Sequence, residues 1–153
     1  MTYSEQDIAA MRAALAQAAI AESAGEVPVG AVVVVNGEVV GAGHNRSISD
    51  ADPSGHAEIV ALREACRAVS NHRLSGATLY ATLEPCVMCV GAIVQARIGR
   101  VVFGAYDDKA GALGTATDLS DSKALNHRFE INGGLLTEEC AAMLKDFFAP
   151  RRK

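Results

Sequence analysis

Two short segments of the chain carry residue types that can hold a metal ion: His56-Ala57-Glu58 and Pro85-Cys86-Val87-Met88-Cys89. Each falls where a loop ends and a helix is predicted to begin. The two thiols can therefore face one point, and the exposed N–H groups of the helix start favour thiolates. One imidazole and two thiolates give zinc three protein ligands and leave the fourth tetrahedral position open to water. Zinc lowers the pKa of such a water to about 7, which supplies hydroxide at neutral pH.

Glu58 follows the candidate ligand His56 by two positions. In the middle of a helix this offset separates two side chains widely, but at the first turn both can reach a metal that lies beyond the helix end. A carboxylate beside the activated water can accept its proton and pass it to a leaving nitrogen. This combination suits the hydrolytic removal of an amino group from an aromatic ring.

Other interpretations of the Cys-x-x-Cys pair remain open from the residues alone. A redox pair normally follows a strand in a thioredoxin-like order, whereas here a proline precedes the first cysteine. A structural zinc site needs a fourth protein ligand. Cys66 and Cys140 lie on apolar helix faces and are predicted to be small core residues. The isolated histidines, none of which recurs with another ligand at short spacing, are His44, His72 and His127.

The elements that must position these groups alternate between helix and strand. Apolar residues at spacings of three and four predict helices over 4–25, from His56 onward, over 86–96 and over 137–148. Short apolar runs predict strands at 31–35, 38–42, 77–82, 100–103 and 129–132. Residues 43–55 are predicted to be a loop. Residues 105–126 lack periodicity and are predicted to be a binding loop or a poorly ordered segment.

This order predicts a three-layer α/β/α domain with a mixed sheet of about five strands. Asn36-Gly37 predicts a tight hairpin between the first two strands, because both positions tolerate positive φ. The later strand, helix, strand order implies a right-handed parallel crossover. The metal is expected at the strand ends, where the helices that follow His56 and Cys86 begin.

Composition favours one compact domain spanning residues 1–153. Half of the 153 residues are hydrophobic and the formal net charge is −4, which argues against a long basic groove for nucleic acid. The chain has four cysteines, too few for a disulfide framework, and no apolar run approaches 18 residues. We therefore expect a cytoplasmic protein without a membrane span.

The joint pattern His-x-Glu followed by Pro-Cys-x-x-Cys resembles the zinc-dependent cytidine deaminase superfamily. The flanking segments resemble more specifically its bacterial tRNA-specific adenosine deaminase family. The resemblance covers nearly the whole chain with compatible spacing. The segments that carry it are residues 26–31, 45–46, 82–89, 97–104, 126–128 and 147–148.

The resemblance implies a cytidine-deaminase-like fold and hydrolytic deamination of the wobble adenosine to inosine in a tRNA anticodon loop, by a homodimer. By position, His56, Cys86 and Cys89 would hold one zinc ion and Glu58 would shuttle the proton. The residues implied to contact the flipped-out nucleotide are Asn45 by hydrogen bonding, Val27 and Leu83 as an apolar slot, and Asp107 at the ribose or its neighbours.

The chain departs from the family pattern at His44, where a Trp is often found, and at Tyr106, where a basic residue is common. The loss of a cation at Tyr106 would weaken any phosphate contact there. The remaining basic candidates for RNA binding are Arg46, Lys109, Lys123, Arg128 and the tail 151–153.

Two alternative functions stay open at this stage. One is a free-base or nucleoside deaminase of the same superfamily, acting on guanine, cytosine or cytidine. The other is a non-catalytic zinc-binding domain, which would need a fourth protein ligand and would have no use for Glu58.

Overall fold

A computed structural model describes residues 3–151 of the chain. The helices are α1 (Glu5–Ser23), α2 (Ala57–Val69), α3 (Val87–Gln95) and α4 (Thr137–Phe148), followed by a short 3₁₀ turn at Ala149–Arg151. The strands are β1 (Gly30–Val35), β2 (Glu38–His44), β3 (Thr78–Leu83), β4 (Arg100–Ala105) and β5 (Glu130–Gly133).

The five strands form one mixed sheet in the order β2-β1-β3-β4-β5. Strand β1 is antiparallel to both β2 and β3, whereas β3, β4 and β5 run parallel. The β1–β2 turn has positive φ at Asn36 (50°) and at Gly37 (79°), as the Asn-Gly pair predicts. The predicted mixed sheet with an antiparallel hairpin is confirmed.

Two apolar layers pack on opposite faces of the sheet. On one face, alternate residues of the strands, among them Val33, Leu79 and Val101, pack against α2 and α3. On the other face, Val32, Tyr80 and Val102 pack against α1 and α4. The predicted α/β/α arrangement is therefore confirmed, and α2 and α3, which follow the two candidate ligand segments, share one side of the sheet.

Two strands run two residues beyond their predicted ends, whereas the bounds of the other three lie within one residue of the prediction. Strand β2 continues through Gly43 and His44, which were predicted to lie in a loop, because His44 pairs with Gly30 of β1. Strand β4 extends to Ala105, whose partner in β3 is Leu83. Glycine and alanine have low strand propensity, so pairing with a neighbouring strand decides these ends.

Helix α1 is joined to the sheet by a partly buried ion pair. Ser4 and Asp7 form a capping box at its start. The Asp7 carboxylate also accepts hydrogen bonds from Arg100 Nη1 at 2.8 Å and from the Tyr80 hydroxyl at 2.6 Å. These bonds connect the first turn of the helix to β3 and β4.

Within residues 3–151, no helix combines the length and the apolar character that a membrane span requires.

Candidate metal centre and active site

The candidate ligands lie at the first positions of two helices. His56 is the N-cap of α2 and Cys86 is the N-cap of α3, both with extended backbone angles. Neither side chain caps its own helix, so the imidazole and the thiol are available for other contacts. Cys89 follows one turn later on α3 and is fully buried. The helix starts that the sequence predicted therefore bring all three residues together.

The spacing of the donor atoms suits tetrahedral zinc. His56 Nδ1 lies 3.5 Å from Cys86 Sγ and 3.6 Å from Cys89 Sγ, and all three atoms lie within 4.8 Å of one another. Zinc bonds of about 2.3 Å to sulfur and about 2.0–2.1 Å to nitrogen, at tetrahedral angles, place N and S about 3.5 Å apart. The donor set of one imidazole and two thiols also suits this ion, and among residues 3–151 no other cluster of three such donors is found.

The surroundings of the two cysteines favour a thiolate at Cys86. Hydrogen bonds from Cys89 and from His56 outweigh burial and lower the pKa of the Cys86 thiol to about 3. The hydrogen bond that Cys89 donates, together with burial, raises the pKa of Cys89. One thiolate is thus already favoured at the N-terminus of α3, where the helix dipole also stabilises negative charge.

Glu58 lies beside these donors, in the first turn of α2. It is only 4% exposed, and burial raises the pKa of its carboxyl to about 7, a rise to which the negative charge at Cys86 adds. The Cys89 thiol is a hydrogen-bond partner of the carboxylate. A buried carboxyl with a pKa near neutrality can both accept and release a proton at physiological pH.

A cavity of about 430 Å³ brings together three of the four residues predicted to contact the nucleotide: Val27, Leu83 and Asp107. Its lining also includes residues that sequence reasoning did not assign to a nucleotide pocket, namely Tyr106, Asp108, Lys109, Leu144 and Phe148. Leu83 connects this cavity to the candidate ligands, because it ends β3 three positions before Cys86.

The fourth predicted residue, Asn45, lies at the start of α2 rather than in the cavity lining. Its Oδ1 accepts a hydrogen bond of 2.8 Å from the backbone N–H of Ala57, the first residue of the helix. Its own N–H donates to the carbonyl of Val29. Asn45 thus supplies the cap that the His56 side chain does not supply, and its side-chain amide nitrogen remains as a donor.

Two basic candidates for RNA binding are already engaged in internal contacts. Arg46 pairs with Asp50 through two hydrogen bonds of 2.8 and 2.9 Å. Arg128 donates to the carbonyls of Leu125 and Ser122. Lys109 and Lys123 are exposed, and only Lys109 of the two lines the cavity.

The C-terminal basic tail is described only at its first residue. Arg151 lies over the Phe147 ring, with its guanidinium carbon 3.8 Å from the ring centroid. Arg152 and Lys153 lie outside the described residues.

His44 and Tyr106, the two residues that depart from the family pattern, lie in different environments. His44 contacts Gln17 and Arg46, and burial together with the Arg46 charge lowers the pKa of its imidazole. Tyr106 is exposed and packs edge-to-face on Phe103.

The other cysteines and histidines do not join the donor cluster. Cys140 is buried between α4 and the sheet, and Cys66 packs at the edge of the opposite core, as predicted. His127 lies with Nε2 2.7 Å from the carbonyl oxygen of Ile98, and His72 borders a groove between α2 and α3.

Sequence reasoning missed two buried carboxylates next to the cavity residues. Glu26 precedes Val27 and accepts hydrogen bonds from Ile48 and Ser49. Glu84 follows Leu83 and accepts hydrogen bonds from the segment 107–115. Both are 2% exposed. In the sequence, each of these glutamates is recognisable only by its apolar neighbour, Val27 or Leu83. Such a neighbour is a weak indicator that a glutamate is buried.

Comparison with known proteins places this geometry in a family. The profile of the MafB19-like deaminase family matches residues 5–152. The tRNA-specific adenosine deaminase of Bacillus subtilis is 47% identical over 97% of this chain and 92% of its own length. That of Haemophilus influenzae is 49% identical over 98% of this chain and 87% of its own length. The chain belongs to the tRNA-specific adenosine deaminase family. A solved structure from work on A-to-I editing by tRNA:A34 deaminases superposes on this family member with a TM-score of 0.85 at 40% identity, over 89% of this chain and 99% of the other. The predicted deaminase fold is confirmed.

Proposed function

We propose that this protein is a zinc-dependent enzyme that hydrolyses the wobble adenosine of a tRNA anticodon loop to inosine. The observation that carries the proposal is the buried carboxyl of Glu58 beside three donor atoms at tetrahedral zinc spacing. The names of the relatives support the substrate, because proteins called tRNA-specific adenosine deaminases are 47% and 49% identical to this chain.

His56, Cys86 and Cys89 would hold one zinc ion. When bound, zinc would lower the pKa of a coordinated water and supply a hydroxide nucleophile at neutral pH. The protein's own contribution is to hold the three donors close together, because His56 and Cys86 are the N-cap residues of α2 and α3.

Glu58 moves the protons. Its carboxylate would accept one proton from the attacking water and pass it to a ring nitrogen of adenine, and would then carry a second proton, from the new hydroxyl at C6, to the leaving amino group. A C–O bond forms at C6 of adenine, the C6–N6 bond breaks, and ammonia leaves. A carboxyl can make both transfers because it accepts a proton as a carboxylate and donates one as a carboxylic acid.

The residues around the cavity would hold the flipped-out nucleotide. Val27 and Leu83 supply apolar surface for the base, and Asp107 an acceptor for ribose hydroxyls. The free side-chain nitrogen of Asn45 would donate to the nucleotide, since its oxygen is occupied by Ala57.

An anticodon loop is a suitable RNA for a protein with a net charge of −4. Its bases are single-stranded, so flipping one out costs little free energy. Only a few phosphates of the loop need to be contacted. Tyr106 and Phe148 expose aromatic surface at the cavity on which neighbouring bases can stack, and Lys109 supplies a cation there.

The two alternatives fit less well. A non-catalytic zinc domain has no need of the buried Glu58 and requires a fourth protein ligand. A free-base deaminase has no need of exposed aromatic and cationic side chains at the cavity rim.

We further propose that the chain acts as one domain, in the cytoplasm where tRNA is found, and as a homodimer. The dimer rests on the family resemblance and on an apolar groove of about 600 Å³ between α2 and α3. Ile59, Leu62 and Ala92 line this groove, and the exposed Val87 and Met88 lie on α3 at its N-terminal end. Arg63, Arg67 and Gln95 also line the groove, and covering its apolar residues with a second copy suits a twofold contact.

The test of the activity uses zinc-loaded protein and an anticodon stem-loop that carries a wobble adenosine. We expect inosine in the digested nucleosides, and we expect Glu58→Ala to lower kcat by at least about 10²-fold because the proton shuttle is lost. Chromatography of the nucleosides after digestion measures the product.

Guanine, cytosine and cytidine are assayed in parallel under the same conditions. Turnover of one of these without inosine from the hairpin would overturn the tRNA assignment and favour the free-base alternative. Full activity of a zinc-loaded Glu58→Ala protein would overturn the assigned role of Glu58.

A further inference from the structure

Glu84 is a buried carboxylate whose hydrogen bonds all come from one loop. Its Oε1 accepts from the backbone N–H of Asp107 at 3.2 Å and from the Thr115 hydroxyl at 2.5 Å. Its Oε2 accepts from the N–H groups of Leu113 at 2.9 Å and of Thr115 at 3.2 Å. At 2% exposure, these four donors satisfy the carboxyl oxygens that burial removes from water.

The loop that surrounds Glu84 carries one wall of the cavity. Tyr106, Asp107 and Lys109 belong to it, and all three line the cavity. The loop backbone also passes against the carboxylate at Gly111, where an added Cβ would lie 2.5 Å from Glu84 Cδ.

Glu84 belongs to residues 83–89, here called the metal segment, which carry the other part of the site. Leu83, on one side, lines the cavity, and Cys86, two positions later, is a candidate zinc ligand. Two backbone bonds reinforce the junction: the Ala112 N–H donates to the Pro85 carbonyl and the Glu84 N–H donates to the Ala105 carbonyl, each at 2.9 Å. The Glu84 carboxylate therefore lies between the metal segment and the 106–115 loop.

We propose that Glu84 is a positioning residue for deamination: it holds the 106–115 loop, and with it Asp107, at a fixed distance from the metal segment. This inference rests on the proposed function. A carboxylate suits the role because two oxygens can accept from four donors, whereas a glutamine has one acceptor oxygen and brings an amide nitrogen toward N–H groups. A loop displaced by about 1 Å can cost about 10²-fold in kcat/KM.

The experiment compares wild type with Glu84→Gln on the anticodon stem-loop, with zinc content and kinetics measured on the same preparations. We expect one zinc per chain to be retained, and we expect KM to rise about 10- to 100-fold with a smaller change in kcat, because the loop contacts the RNA and not the reacting atoms. Trypsin is expected to cleave after Lys109 faster in the variant, which reports release of the loop directly.

Two further variants sharpen the test. Glu139→Gln changes an exposed glutamate of α4 that pairs with Arg12, and it should leave KM and cleavage unchanged. Gly111→Ala keeps the carboxylate but pushes the loop away from it, and it should reproduce the KM effect even if Glu84→Gln does not fold.

An unchanged KM in Glu84→Gln, with the melting temperature lowered, would overturn the proposal in favour of a purely structural role. Loss of zinc from this variant would also overturn it, because the residue would then act on the ligands. An inactive wild-type protein would instead contradict the proposed function.

Discussion

At the scale of single residues, His56 and Cys86 are 30 positions apart in the chain, yet their donor atoms lie at the N–S spacing of tetrahedral zinc. Glu58 lies beside them without belonging to the donor set. Removal of a ligand and removal of Glu58 should therefore have different consequences.

Cys89→Ala is expected to lose the metal. Two remaining donors hold zinc far more weakly than three, so zinc should fall from about one per chain to a small fraction after desalting. Elemental analysis measures this. Cys66→Ala is the matched control, because Cys66 lies outside the donor cluster, and it should keep its zinc. Full zinc retention by Cys89→Ala would remove Cys89 from the ligand set.

At the scale of elements, close packing of α2 against β2 places the start of the helix. A Cβ on Gly43 would lie 2.6 Å from the carbonyl oxygen of Ala57, so only glycine permits this approach. Helix α1 is held differently, by the ion pair between Asp7 and Arg100.

The Asp7 pair predicts how stability changes with pH. Burial alone would raise the pKa of Asp7, but hydrogen bonds from Arg100, Tyr80 and Ser4 outweigh it and lower the pKa from 3.8 to about 2. The stabilisation, about 2 kcal/mol, is therefore complete above pH 4 and is lost as the pH falls toward 2. Asp7→Asn should lower the free energy of unfolding by this amount at pH 7 and by less at pH 3.

Urea unfolding at pH 7, 5, 4 and 3 measures this difference. Asp121→Asn, at an almost fully exposed aspartate, is the control and should change stability little at any pH. A difference between wild type and Asp7→Asn that stays constant down to pH 3 would contradict the assigned cause.

In the whole molecule, α2 and α3 form one of the two helix layers, and the groove between them faces away from the sheet. Ala92 lines the groove, and Arg63 and Arg67 border it. A second copy would cover this apolar surface, and a third arginine there would oppose it by bulk and by charge.

Ala92→Arg is accordingly expected to convert a dimer to a monomer, because it places a cation in the face that must be desolvated. Light scattering after size-exclusion chromatography measures the mass. Val39→Arg, at an exposed position on β2, should leave the mass unchanged. A wild-type protein that is monomeric at micromolar concentration would contradict the proposed homodimer.

The donor types, their order along the chain and the elements that carry them could be predicted from the sequence. His-x-Glu and Pro-Cys-x-x-Cys are local patterns, and the helix starts follow from the loops and the proline before them. The bounds of α4 were also predictable, because the apolar positions from Leu136 to Phe147 recur with helical period. The Asn36-Gly37 turn needed only local backbone preferences.

Which carboxylates are buried and which arginines are paired depends on contacts between distant parts of the chain. Nothing local distinguishes Glu84 from the exposed Glu139, since burial depends on a loop 23 to 31 positions later that folds back over the side chain. The ends of β2 and β4 likewise depend on their partner strands. Such contacts join positions that are distant in the chain. They stabilise the fold only after the chain has closed the loops between those positions, which local sequence patterns do not reveal.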